Sequence, residues 1–117
     1  MARANGLSRD PVFRQRLADA WITLRVMRYH ALRTIPMLEH GTMTPATSIH
    51  KLFWATFHRA LGELAVDAMD ADALAHADHR FTGLFLYSRA DTIYGGSNQI
   101  QRNVIGERAL GLPKEPK

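Results

Sequence analysis

Apolar residues recur at steps of three and four along most of the chain, and this spacing is what most limits its fold. In a first long segment, from about residue 10 to 34, they are Phe13, Leu17, Trp21, Leu24, Met27 or Arg28, Ala31 and Ile35. In a second, from about 46 to 69, they are Ile49, Leu52, Phe53, Phe57, Ala60, Leu61, Leu64, Ala65 and Ala68. Such spacing gathers apolar side chains on one face of an α-helix. No strand pattern appears, so the sequence predicts an all-α fold.

Start and stop signals bound these two helices. Ser8 or Asp10 can cap the first one, and Pro11 suits its first turn. Pro36 is expected to end or kink it, because proline lacks the backbone N–H that an interior helical position uses. Thr44-Pro45 is a second start signal. Trp54 and Phe57 widen the apolar face of the second helix, which predicts a place in the middle of the bundle or at an interface.

Two shorter helices are expected, from about 80 to 94 and from about 98 to 110. Gly111 stands where a C-terminal cap belongs, and Pro113 follows it. The pattern therefore predicts an up-down four-helix bundle. The apolar side chains exceed what one small core can hold, which predicts an exposed apolar surface and a partner. The excess residues are Trp21, Met37, Met43 and Trp54.

Length and composition fit one globular domain. The chain has 117 residues, of which 46% are apolar and 22% charged. We expect a single domain over 1–117, with disorder at 1–8 and 114–117. There is no cysteine, which excludes disulfides and thiolate metal sites. No apolar run is long enough to span a membrane, and no secretory signal is visible, so the expected location is the cytoplasm.

The net charge of +4 is unevenly distributed, which raises the possibility of nucleic-acid binding. Residues 1–40 carry seven arginines against three acids, whereas 41–78 carry two basic residues against five acids. The basic residues of the first helix alternate with apolar ones, so we interpret them as a solvated face or as contacts to a partner or an anionic cofactor. They are Arg14, Arg16, Arg25, Arg28 and Arg33. The predicted partners therefore include no nucleic acid.

The stretch 67–79 has potential metal ligands but no ligand motif. It is rich in alanine and aspartate, and its oxygen and nitrogen donors are Asp70, Asp72, His76, Asp78 and His79. Their spacing matches no established site, so no metal is predicted. His50 and His58, two helical turns apart, are interpreted as solvated or core-edge residues.

The stretch Tyr94–Asn103 joins the last two helices. Gly95 and Gly96 break the third helix, because glycine tolerates backbone angles that other residues avoid. Ser97 can then cap the fourth helix. Unpaired amides at such a helix start suit a phosphate or a polar ligand edge. The alternative is a helix–helix turn that binds nothing.

Residues 93–113 read IYGGSNQIQRNVIGERALGLP, which resembles the C-terminal signature of acyl-CoA dehydrogenases. The family pattern is Tyr-Glu-Gly-Thr/Ser, then Ile-Gln-Arg-Asn and an Arg-x-Leu-Gly-Leu-Pro ending. Asp10–Ala18 is also similar to this domain in actinobacterial-type members, so the likeness covers nearly the whole chain. The resemblance implies an FAD enzyme of three domains, of which this chain corresponds to part of the C-terminal helical bundle.

The resemblance also implies roles for individual residues. In the family a carboxylate removes the α-proton of an acyl-CoA thioester while flavin N5 takes the β-hydride. The residue after the tyrosine is commonly that base, but here it is Gly95, which has no side chain, so no catalytic residue is expected. Gly96 matches the glycine that lines the acyl-CoA site. The positions that contact FAD match Ser97, Asn98 and Gln99.

Two family motifs for flavin binding are missing, Gln-x-x-Gly-Gly-x-Gly and Arg-x-x-Phe-Gly. Three hypotheses follow. The chain is a fragment or subunit of an acyl-CoA dehydrogenase, inactive alone and associating with itself or with a partner dehydrogenase subunit. Alternatively, it is a non-catalytic helical association module. The third hypothesis is a basic helical module for nucleic acid.

Overall fold

The computed structural model describes residues 2–39, 41, 44–69, 71, 75 and 80–114. Every regular element among these residues is helical, which confirms the predicted all-α class. The four predicted helices correspond to α1 (Pro11–Glu39), α3 (His50–Asp67), α4 (Arg80–Ala90) and α5 (Asn98–Val104). A short helix α2 (Pro45–Ser48) precedes α3.

The first helix, α1, begins where the sequence predicted. A 3₁₀ turn over Leu7–Arg9 leads into it, and the backbone N–H of Phe13 donates to Asp10 Oδ1 at 2.6 Å. Asp10 rather than Ser8 is therefore the capping side chain. Within the segment 1–8, for which the sequence predicts disorder, three residues contact the rest of the domain. Ala2 and Leu7 pack against the core, and Asn5 Nδ2 donates to the Ala68 carbonyl at 2.7 Å.

Pro36 was predicted to end or kink α1; it does not end the helix, which continues to Glu39. Proline removes one hydrogen bond, the one that residue 36 would donate to the carbonyl of Leu32. Only three helical residues follow, so a single missing bond near the end of a 29-residue helix does not stop the last turn.

The second predicted helix is divided at Ile49 into α2 and α3. Thr44 and Thr47 form reciprocal bonds at the start of α2, where the Thr44 N–H donates to Thr47 Oγ1 at 3.1 Å. This arrangement is a capping box, so the start signal at Thr44-Pro45 is confirmed. Ile49 keeps right-handed helical angles, so α3 continues the chain in nearly the same path.

The third predicted helix, α4, ends at Ala90, four residues before its predicted end. A turn over 91–96 connects it to α5. Gly95 and Gly96 have φ angles of +63° and +92°, in the region that favours glycine. After Val104 the last helix widens into a π-turn over Ile105–Ala109. Gly111, at φ +68°, follows it as the predicted cap.

The central element is α3, which packs against α1, α2, α4 and α5. Phe13 of α1 meets Leu64 and Ala68 in the main core cluster, with Ala2, Leu7 and Ala20 around it. On its other side α3 approaches α4 so closely that a Cβ built at Gly62 would lie 2.9 Å from Ser88 Oγ and 3.1 Å from Phe85 Cα. The middle position predicted for this helix is confirmed.

The predicted metal donors Asp70, Asp72, His76, Asp78 and His79 lie outside the described residues. Within the described ranges, no group of three or more ligating side chains could hold a metal ion. No described helix is long and apolar enough to cross a membrane.

We predict that Gly62→Ala destabilises the domain, because the new methyl group would overlap the buried Ser88 side chain and the α4 backbone. Overpacking of this kind costs about 1–3 kcal/mol. Gly83→Ala is the matched control, since Gly83 is also helical but has no atom near its Cβ position. It should be neutral or stabilising by up to about 1 kcal/mol. Urea unfolding followed by far-UV circular dichroism compares the two; equal stability of both variants would contradict the close contact.

Candidate functional site

The turn between α4 and α5 has hydrogen bonds within its own backbone and leads into a cap. Ser97 Oγ accepts the backbone N–H of Ile100 at 3.3 Å, which confirms the predicted cap of α5. The Asn98 N–H donates to the Thr92 carbonyl at 3.1 Å and closes the turn. Gln101 Nε2 donates to the Gly95 carbonyl at 2.8 Å. The four predicted ligand-contact positions therefore lie where the turn meets α5: Gly96 ends the turn, Ser97 is the cap, and Asn98 and Gln99 begin the helix.

The backbone of Gly96 favours glycine, because its φ of +92° lies in a region that other residues rarely adopt. A Cβ at this position would also lie 2.8 Å from Gln101 Nε2, the end of a flexible side chain that bonds the Gly95 carbonyl and would have to shift. Gly95, by contrast, has open space around its Cβ position, with the Lys51 side chain the nearest neighbour at 3.8 Å.

Lys51 of α3 attaches the turn to the body of the domain. Its Nζ donates to the Asp91 carbonyl at 2.8 Å and to the Gly96 carbonyl at 2.7 Å. It also lies 5.8 Å from the centre of the Tyr94 ring. A single ammonium group therefore holds two backbone carbonyls of the turn, and hydrogen bonds to a charged donor are stronger than neutral ones.

Asp91, at the start of the turn, is a buried carboxylate with two side-chain donors. Its exposed fraction is 1%. Tyr94 Oη donates to one carboxylate oxygen and His58 Nδ1 to the other. The His58 ring stacks on Trp54, with centroids 4.6 Å apart. A carboxylate without such partners would be costly to bury, so these contacts explain how Asp91 can lie inside.

The same contacts determine how Asp91 and Tyr94 titrate. Burial alone would raise the pKa of Asp91, but the hydrogen bonds from Tyr94 and His58 and the nearby charges of His58 and Lys51 outweigh it, so this pKa is lowered. The hydrogen bond to Asp91, together with burial, raises the pKa of Tyr94 to about 12. Tyr94 therefore keeps its proton and acts as a hydrogen-bond donor, not as a base.

Two of the acids that are candidates for a base, Asp91 and Glu63, are poorly suited to that role. Asp91 is buried and engaged by its partners. Glu63 accepts from Arg89 at 2.7 Å and from Arg59 at 3.3 Å, and the bond from Arg89, against a smaller effect of burial, lowers its pKa. A lowered pKa weakens the carboxylate as a proton acceptor.

The predicted flavin-contact residues present a mixed polar edge. Ser97 uses its oxygen for the cap, which leaves its hydroxyl hydrogen available to donate. Asn98 Oδ1 is buried and has no partner among the described residues. Gln99 is exposed. A flavin ring edge has both carbonyl acceptors and an N–H donor, so this set of donors and acceptors fits it.

The sequence did not identify the residues that support the turn: Lys51, His58 and Asp91. One signal was present, since Lys51 and His58 are seven residues apart and so share a helix face. Asp91 could not be recognised, because it stood within a predicted helix. The histidine pair considered in the sequence does not form; His50 stacks instead on His30 of α1, with centroids 5.8 Å apart.

Comparison with known proteins places this site in a family. The family described as acyl-CoA dehydrogenase, C-terminal domain, matches residues 2–110. Acyl-CoA dehydrogenase IpdE1 of Mycobacterium tuberculosis is 47% identical over the whole chain, which covers 31% of that protein. IpdE1 of Mycolicibacterium smegmatis is 45% identical, also over the whole chain and over 30% of that protein.

Acyl-CoA dehydrogenase FadE34 of M. tuberculosis is 36% identical over 70% of the chain, which covers 12% of that protein. No solved structure matches the chain significantly. The chain spans about a third of the length of the two IpdE1 relatives. With the signature of residues 93–113 lying on the closed turn and the helix that follows it, the chain belongs to the acyl-CoA dehydrogenase family, as a C-terminal domain of that family.

Proposed function

We propose that the chain serves as the C-terminal helical domain of an FAD-dependent acyl-CoA dehydrogenase, an oxidoreductase that introduces an α,β double bond into an acyl-CoA thioester. The observation that carries the proposal is the turn at 95–99. Its family signature coincides with a loop that carries a hydroxyl and an exposed amide. The glycine of that signature, Gly96, has a φ angle of +92°.

The residues of the turn have distinct roles in this proposal. Ser97, Asn98 and Gln99 hold the flavin: the Ser97 hydroxyl donates, and the exposed Gln99 amide offers both donors and an acceptor. Gly96 lines the acyl-CoA site, where a side chain would collide with Gln101. FAD, when bound, supplies the acceptor for the hydride of the substrate.

The base must come from outside this turn. Gly95 has no side chain, Asp91 is buried, and Glu63 is paired with two arginines. We infer that a complete active site takes its carboxylate from a segment or subunit beyond these 117 residues. The chain alone is then an incomplete site that binds and positions ligand without removing the proton.

The alternative is a non-catalytic association module, and the shape of the domain favours some form of association. Its radius of gyration is 17.5 Å, whereas a compact domain of this size has about 13 Å. Its accessible surface is 8457 Å², against about 6,400 Å² expected for a compact monomer of this mass. The domain is therefore more open than a self-contained one.

Much of the additional surface is apolar and follows α1. The residues predicted to form its core stripe are only partly buried: Phe13 and Met27 are inside, but Trp21 is 61% exposed and Leu24 47%. A groove of about 460 Å³ runs between α1 and α3. It is lined by Leu17, Ala20, Trp21, Leu24, Phe57 and Leu61. We propose that this groove is covered in the assembled enzyme, by another copy or by a partner dehydrogenase subunit.

Two arginines of α1 argue against the nucleic-acid hypothesis. Arg16 is paired with Asp67 at 2.7 Å, and Arg25 donates to Tyr29 Oη and lies over the Trp21 and Tyr29 rings. These arginines are engaged within the domain, so they do not form the free basic stripe that phosphate contacts need.

We predict that the isolated chain does not dehydrogenate acyl-CoAs, even with FAD added. General-base catalysis alone is worth about 10²–10⁴-fold, and positioning of substrate against flavin contributes more. Gly95→Glu should not restore activity, because it returns one of several missing parts. The measurement is an electron-acceptor assay with acyl-CoAs of several lengths, with a complete acyl-CoA dehydrogenase as positive control. Turnover by the wild-type chain would falsify the incomplete-site proposal.

We predict that the chain forms dimers or larger species through the groove between α1 and α3. Trp21→Lys should shift the population toward monomer, because it places a charge on the exposed apolar stripe. Val12→Lys is the matched control: Val12 is on the same helix and 67% exposed, but lies outside the groove. Multi-angle light scattering gives the masses. A wild-type chain that stays monomeric at high concentration would contradict the prediction.

A further inference from the structure

Two side chains on the same face of α3 contact the turn 91–96. Lys51 and His58 are separated by seven residues, which is close to two helical turns. Lys51 bonds the backbone carbonyls of Asp91 and Gly96, and His58 bonds the carboxylate of Asp91. The turn is thus attached to α3 near both of its ends.

The turn needs such attachment because its own sequence cannot hold it. Gly95 and Gly96 have the widest conformational freedom of any residue, and fixing them costs more entropy than fixing other residues. The helix that follows, α5, has only seven residues before its π-turn, and a helix this short is marginal by itself. Order in the turn must therefore come from side chains of other elements.

Asp91 joins these attachments into one unit. Its carboxylate accepts from Tyr94 within the turn and from His58 of α3, and its carbonyl accepts from Lys51. Because the carboxylate is buried, loss of either His58 or Tyr94 leaves a charged group with one donor fewer. The carboxylate and the carbonyl belong to the same residue, so the three contacts together clamp the turn at Asp91.

We propose that Asp91, Lys51, His58 and Tyr94 form a positioning unit that holds residues 95–99 in their ligand-binding conformation. None of the four is assigned a contact with flavin or acyl-CoA; they act through the turn. The inference rests on the proposed function for the identity of the ligand. The positioning itself can be measured in the chain without ligand.

The experiment is amide hydrogen exchange by NMR on the 117-residue chain. The reporters are the amides of Tyr94, Asn98 and Gln101, which bond the carbonyls of Ala90, Thr92 and Ser97. The variants are Lys51→Met and Asp91→Asn. We expect exchange at the reporters to rise about tenfold or more relative to amides in the middle of α3, as loss of a charged hydrogen bond implies.

Two matched variants make the result specific. Glu63→Gln weakens a different ion pair, the one with Arg89 at 2.7 Å, which joins α3 to α4 and includes no residue of the turn. Lys51→Arg keeps the charge and the donors, and should restore most of the protection. Exchange at the reporters that rises no more in Lys51→Met than in Glu63→Gln would overturn the proposal. If Asp91→Asn fails to fold, Lys51→Met decides, since Lys51 is only partly buried.

The pH dependence gives a second readout. The groups that face Asp91 are Tyr94 of its own turn and His58 and Lys51 of α3. Since the folded pKa of Asp91 is lowered, its contribution is complete above the unfolded value of about 3.9 and is lost as the pH falls through the folded value. The stability difference between wild type and Asp91→Asn should shrink below about pH 4. A difference independent of pH would count against a charged clamp.

Flavin binding separates this inference from the proposed function. In the complete enzyme that contains the domain, quenching of FAD fluorescence should weaken in Lys51→Met and recover in Lys51→Arg. If the wild-type enzyme does not bind FAD, the proposed function fails, while the exchange result still decides the positioning unit. If FAD binds equally in Lys51→Met, the turn does not need the clamp for its ligand and the proposal is overturned.

Discussion

The buried carboxylate of Asp91 is the constraint on which the arrangement of this domain depends. A charge with 1% exposure is tolerated only where donors are fixed around it. Those donors belong to two different elements, His58 to α3 and Tyr94 to the turn. The position of α3 relative to the turn is therefore set by the need to satisfy one side chain. Lys51, two helical turns before His58, uses the same alignment to bond the turn's backbone.

The close approach of α3 and α4 makes this alignment possible. Gly62 has no side chain at the point where Ser88 and the Phe85 backbone come nearest, so the two helices can pack in direct contact. That contact brings Asp91, the residue directly after α4, against α3. On the opposite side α1 packs less completely, and its exposed apolar residues leave a groove. The domain thus has one well-packed side that supports the turn and one open side suited to association.

Several parts of the structure could be predicted from the chain because they depend on local chemistry. The helical spacing, the caps at Asp10, Thr44 and Ser97, and the left-handed glycines all involve residues within a few positions of one another. Two helix ends were misjudged. Pro36 does not end α1, because near a helix terminus a proline removes only one backbone hydrogen bond. The end of α4 at Ala90 was missed, since it depends on where the Asp91 carboxylate finds its partners.

The sequence by itself determined that this is an all-helical member of the acyl-CoA dehydrogenase family in which two glycines follow the tyrosine of the signature. Periodicity, caps and a signature of about twenty residues are properties of neighbouring positions, and they are readable without coordinates. The tertiary structure alone decided which distant residues support the turn. His58 and Asp91 are 33 positions apart, and Lys51 and Gly96 are 45 apart. Such contacts exist only once α3 and α4 have packed, because helix packing, and not chain order, brings a histidine to the buried carboxylate and a lysine to the backbone carbonyls of the turn.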